Sequence, residues 1–242
     1  QQPGWCQVTT TESTPTEVAS TAKPLNYRIS VLFTAIARFF RGFLLFMVII
    51  LVNAAIQTAL VGFFDPTPAV SAVFIITALI SFVVLVASFY FLTLTALTVA
   101  TQKPKFSTVF KRSAGQWGRF VLWSVVMYLL TLLGLIVNTY VGLAVLLVLP
   151  FVTLAAADDQ RNPLAINFRV IGGRAVRYIV TAIILGIILV ISNLLTSVNG
   201  FFIGGWLGAL ITWLYWGLLA SWYLTALALI YRSTRAGAVK SD

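Results

Sequence analysis

Six apolar stretches divide this 242-residue chain, and every lysine and arginine lies on one side of them. Lys23, Arg28, Arg38 and Arg41 precede the first hydrophobic hairpin, and Lys103, Lys105, Lys111, Arg112 and Arg119 precede the second. Arg161, Arg169, Arg174 and Arg177 precede the third, while Arg232, Arg235 and Lys240 follow it. The opposite loops, around Asp65, Asn138 and Asn199, hold none of the sixteen. Cytoplasmic loops of membrane proteins collect Lys and Arg. The pattern therefore predicts an all-α integral membrane protein with both termini cytoplasmic and Asp65, Asn138 and Asn199 outside.

Composition supports that class. Hydrophobic residues make up 60% of the chain and charged ones 9%, against about a quarter charged in soluble domains. The net charge of +10 asks for an anionic partner. Because the basic residues flank apolar runs, the expected partner is anionic lipid headgroups and not nucleic acid. Cys6 is the single cysteine, which excludes an intramolecular disulfide. No histidine is present, so the commonest general base and metal ligand is missing. Residues 1–22 are polar, rich in Ser and Thr, and lack the apolar core of a signal peptide, so they read as a disordered tail. A further expectation is that Val8 is the initiating residue, which N-terminal mass spectrometry checks.

About twenty apolar residues cross the hydrocarbon core as a helix. Residues 42–64, 69–97, 120–137, 141–157, 178–198 and 206–231 are the six predicted spans. Asp65-Pro66-Thr67-Pro68 makes the first outer turn, Asn138-Thr139 a very tight second one, and Asn199-Gly200 the third. Span four contains Pro150, which must kink it or have neighbours satisfy the freed carbonyls.

The chain also repeats. Lys23-Pro24, Lys103-Pro104 and Asn162-Pro163 each open a unit, and a basic segment and an apolar hairpin follow. Related phrases close the units: Phe91-Leu92-Thr93-Leu94-Thr95-Ala96, Phe151-Val152-Thr153-Leu154-Ala155-Ala156 and Tyr223-Leu224-Thr225-Ala226. The expected organisation is a membrane domain over 23–232, with repeats near 24–97, 104–157 and 163–231, and a cytoplasmic tail over 233–242. In the basic segments, Leu32, Phe33, Ile36, Phe39 and Phe40 share a helical face, as do Phe106, Phe110 and Trp117, and Leu164, Phe168 and Ile171. Basic amphipathic helices of this kind lie in the membrane interface. Residues 29–40, 106–117 and 164–175 are therefore expected to be in-plane helices, each feeding a transmembrane hairpin.

That arrangement resembles the YciC-type bacterial inner-membrane proteins and the membrane domain fused to some glycerophosphodiester phosphodiesterases. The likeness is best over 106–197, where Val141-Gly142-Leu143-Ala144-Val145-Leu146-Leu147-Val148-Leu149-Pro150 leads into Asp158-Asp159-Gln160. The resemblance implies a six-helix inner-membrane protein with no agreed activity and no catalytic residues to transfer. It supplies no phosphodiesterase domain.

Covalent chemistry needs placed acids, bases or nucleophiles. Of the six acids, only Asp158 and Asp159 are adjacent. Beside Arg161 and ahead of Pro163, they read as partners of nearby cations at a helix end. The expectation is a non-enzyme without cofactor or metal site. Its headgroup-binding residues are expected to be Arg38, Arg41, Lys111, Arg112, Arg119, Arg169, Arg174 and Arg177. No charged residue falls inside a predicted span. Asn53, Gln57 and Asn193 form the candidate intramembrane polar site, although interhelical hydrogen bonding is the plainer role for each. Gly204 and Gly208 have small-xxx-small spacing suited to close helix contact, and Trp213 and Trp216 are expected to pack on helices or lipid. The leading functional expectation is an envelope or lipid-associated accessory. The alternative is a permease-like carrier of a small or amphipathic molecule.

Overall fold

A computed structural model describes residues 30–61, 72–172 and 175–238. The predicted tail, the turn at Asp65 and the whole of Arg174 lie outside them, as do the side chains of Arg112 and Arg177. All regular structure among the described residues is helical: α1 (Ser30–Arg41), α2 (Phe43–Val61), α3 (Ala72–Val99), α4 (Phe106–Val137), α5 (Thr139–Val148), α6 (Val152–Ala157), α7 (Pro163–Gly172), α8 (Ala175–Phe202) and α9 (Gly205–Ala238). Five of these contain stretches long and apolar enough to cross a membrane: Phe43–Leu60, Ala72–Val99, Gly115–Val137, Tyr178–Gly200 and Gly205–Thr234. The chain is a multi-pass membrane protein.

The fourth predicted span is not one helix. Pro150 lacks an N–H, and the chain breaks at Leu149-Pro150-Phe151 into the ten-residue α5 and the six-residue α6. Asn167 of α7 closes the gap. Its Oδ1 accepts from the Phe151 N–H at 3.0 Å and its Nδ2 donates to the Val148 carbonyl at 3.0 Å. The Tyr178 hydroxyl donates to the Leu147 carbonyl beside them. Protein groups thus satisfy the backbone polar groups beside the break.

The second basic segment departs from expectation as well. Residues 106–117 run without interruption into the span as part of α4, so no separate in-plane helix exists there. Lys111 and Arg119 merely extend the polar end of a long helix: no Pro lies between Phe106 and Phe120 to turn the chain, and Gly115 and Gly118 are taken up within α4. The first and third segments do form distinct helices, α1 and α7.

Asn138 makes the second turn by capping. Its backbone is extended, and its side chain accepts from the Tyr140 N–H at 2.8 Å. The third turn comes later than Asn199-Gly200: α8 continues to Phe202, and the Asn199 amide reaches α9 instead, 3.2 Å from Thr212 Oγ1. Helix α9 is the hub, packed against α1, α2, α3 and α8. It comes close to α2 at Gly217, where an added Cβ would lie 2.6 Å from Ile50 Cγ2. A Cβ at Gly204 would meet nothing within 4 Å and one at Gly208 would meet only the preceding Ile203 carbonyl, while the Gly208 carbonyl accepts from Asn199 Nδ2 of α8 at 3.3 Å.

The core lies towards the basic end. Leu94, Ala96, Leu97 and Val99 of α3, all of α6, and Leu224–Tyr231 of α9 are almost fully withdrawn. Hydroxyls in these stretches donate to carbonyls four residues back, as Thr93, Thr95, Thr98 and Thr225 do at 2.7–2.8 Å. Such bonds let small polar residues pack in an apolar interior without an orphaned donor.

Candidate functional site

The α6–α7 turn carries the two neighbouring carboxylates, and it sends them apart. Asp159 adopts φ 58°, a left-handed conformation that Asp tolerates better than most residues. Asp158 Oδ1 accepts from Arg232 Nη2 at 2.9 Å, and its Oδ2 accepts from the Tyr231 hydroxyl at 3.0 Å. This carboxylate is buried. Asp159 accepts from Arg119 Nη1 at 2.6 Å in an exposed pair. Arg161, the partner expected from its nearness in sequence, holds neither. Among the described residues, both carboxylates are thus engaged by arginines that tie α4, α6 and α9 together. No group of three or more His, Cys, Asp or Glu is placed to hold a metal among those residues.

The basic residues do not form one array. Arg38 and Arg41 end α1, Lys111 stands exposed on α4, and Arg169 is exposed in the last turn of α7. Arg119 is committed to Asp159. Burial, and then the charge of Arg41, lower the Arg38 pKa from its ordinary value. Lys103, which the sequence reading did not place in the site, joins Arg38 and Arg41 around a cavity of about 910 Å³. Gly42 makes that meeting possible. A Cβ there would lie 2.7 Å from Val99 Cγ2 and 3.3 Å from Pro104 Cγ, so the α1–α2 junction presses against the end of α3 and the loop that holds Lys103.

The polar trio within the spans is not a unit. Gln57 clasps α2 to α3: its Nε2 donates to the Ser81 carbonyl at 2.9 Å and its Oε1 accepts from Ser81 Oγ at 2.6 Å. Asn53 is buried with no partner for Oδ1, and it lines a cavity of about 160 Å³ with Trp213, Trp216 and Ser88. Asn193 is exposed on α8. Its neighbour Ser192 faces inward and accepts from the Tyr215 hydroxyl at 2.8 Å. A larger apolar cavity, about 400 Å³, lies between α3, α4, the α5–α6 break, α8 and α9 and includes the buried Ser124.

No protein-family model, curated protein or solved structure matches the chain.

Proposed function

We propose that the chain is a non-enzymatic protein of the bacterial inner membrane, with both termini cytoplasmic, that serves as a lipid-associated accessory of the envelope. One observation carries this reading: Arg38, Arg41 and Lys103 share one concavity at the α3–α4 loop, and Arg119 and Arg232 meet the two carboxylates of the α6–α7 turn. Arg119 begins the apolar part of α4 and binds Asp159, forty residues on. That pair supports a sixth crossing, in which α5 and α6 together return along α4. The engagement of Asp158 and Asp159 by arginines supports a structural rather than catalytic role for them.

The same reading covers the interfacial helices and the threefold repeat. In α1, Phe33 and Phe40 are exposed beside Arg38 and Arg41, and in α7 Phe168 is exposed beside Arg169, as in-plane helices facing lipid would have them. The three related phrases all fall in the most deeply buried parts of α3, α6 and α9. The likeness to YciC-type proteins belongs to this proposal and rests on the sequence phrases alone.

Topology supplies the test. With Cys6 replaced by Ser, Tyr140→Cys should react with an impermeant maleimide on intact cells, and Thr101→Cys should react only after lysis. The opposite pattern would falsify the orientation. The unpartnered Asn53 beside its cavity favours a second reading, a carrier for a small or amphipathic molecule. Rapid reaction of Asn53→Cys with a charged thiol reagent would support the carrier, and protection would support the accessory.

A further inference from the structure

The cavity around Arg38, Arg41 and Lys103 does not end at its charges. Leu45, Val48 and Phe106 line it and also line a second, almost wholly apolar groove of about 300 Å³ between α2 and α3. That groove follows α2 from Leu45 to Ile56, a distance of about 16 Å at the helical rise of 1.5 Å per residue. Half of a ~30 Å hydrocarbon core, the depth of one leaflet, is about the same length. One wall is aromatic: Phe91 stacks on Phe110 at 6.1 Å, and Phe110 on Phe106 at 6.0 Å.

We propose that cavity and groove form a single site for one anionic phospholipid, with the headgroup phosphate held by Arg38, Arg41 and Lys103 and an acyl chain lying between α2 and α3. The proposal rests on the lipid-associated reading and narrows it from a diffuse basic surface to a built site. Charge is the first argument. The two carboxylates among the described residues are taken by Arg119 and Arg232, so neither neutralises this cluster. Two guanidinium groups and an ammonium on one concavity match a phosphate, which arginine binds with paired N–H donors. The dipole of α1 favours cations in its last turn. It explains neither Lys103, which stands in a separate loop, nor the apolar groove that continues from the charges. A soluble anion would use the charges and leave the groove empty; a phospholipid uses both.

Native mass spectrometry of the full chain in detergent, with equimolar phosphatidylglycerol and phosphatidylcholine of identical chains, tests this. The wild type should retain one phosphatidylglycerol at least tenfold over phosphatidylcholine. Arg38→Gln, Arg41→Gln and Lys103→Gln together should lower that retention at least tenfold, whereas Lys105→Gln with Arg161→Gln should leave it unchanged. Ala87→Trp fills the groove without altering charge and should also release the lipid, with helicity and melting temperature reporting that the variant is folded. Full retention by either the triple variant or Ala87→Trp would overturn the site. So would displacement by soluble glycerol phosphate as effective as displacement by the lipid, since that would assign the charges to a free anion. If retention survives the triple variant and falls only on neutralising Lys111, Arg119 and Arg169, this site is wrong and the broader lipid reading stands. If the wild type shows no preference for the anionic lipid, both fall.

Discussion

At the basic end of the bundle Tyr90, Leu94, Phe151 and Leu154 are withdrawn completely, whereas at the opposite end Ile136, Val137 and Tyr140 keep 74, 76 and 79% of their surface exposed. Both regions are apolar, so hydrophobicity alone does not separate them. The difference lies in what covers each. Lipid tails are as apolar as leucine, so a helix in a bilayer gains little by burying its side chains against another helix. Close packing must then be driven by fit, small residues and polar contacts. Those features gather at the basic end: the Asp158–Arg232 pair, the Asn167 bridge, and the threonines bonded back along their own helices. Among the described residues, the opposite end shows the Asn138 turn, the close approach of Gly134 to Gly142 and the contact of Asn199 with α9. The basic end should therefore hold most of the stability.

Substitutions can break that contrast. The largest effect should come from Asp158→Ala, which leaves the partly buried Arg232 without its carboxylate; losing one member of a buried pair costs about 3 kcal/mol or more. Reversible unfolding in mixed micelles would measure it. Asn167→Leu should cost about 2 kcal/mol by the same method, since it orphans the Phe151 N–H and the Val148 carbonyl. Gln57→Leu removes both hydrogen bonds of the α2–α3 clasp, and at roughly 0.6 kcal/mol per such bond in a membrane protein the expected loss is about 1 kcal/mol. The smallest change belongs to Asp159→Asn, because its pair with Arg119 is 40% and 59% exposed and exposed pairs contribute about 0–1 kcal/mol. A thermal shift for Asp159→Asn as large as that for Asp158→Ala would contradict the assignment of the two carboxylates to different environments.

Five of the six predicted spans were legible because an apolar run of membrane length bounded by Pro, Asn or basic residues has few other uses; the fourth was not, because Pro150 divides it. Asn138 was legible as a turn for the same local reason. Burial was not legible. In α1 the periodicity put Leu32, Phe33, Ile36, Phe39 and Phe40 on one face, yet Leu32 and Phe39 are buried while Phe33 and Phe40 are exposed. An apolar side chain that suits protein and lipid equally carries no mark of which it will touch. Asn167 was missed for the converse reason. It lies between Ile166 and Phe168 in a segment that reads as interfacial, and its fully buried position is set by a break sixteen residues earlier. Of the candidate site, Arg38 and Arg41 were visible as charges near a span. Lys103 reaches them only through the close approach at Gly42, which the spacing of basic residues does not encode.

The Asn167 bridge also sets an order of events. Val148 and Phe151 leave the ribosome nineteen and sixteen residues before the side chain that satisfies them. Until α7 has been made and has docked, the segment formed by α5 and α6 lacks the side chain that pairs with the Val148 carbonyl and the Phe151 amide at its break. Neither half of that segment is long enough to be recognised as a span by itself. The α5–α6 break is therefore closed only by a helix made after it, and α7 acts on the segment before it as an assembly factor encoded in the same chain.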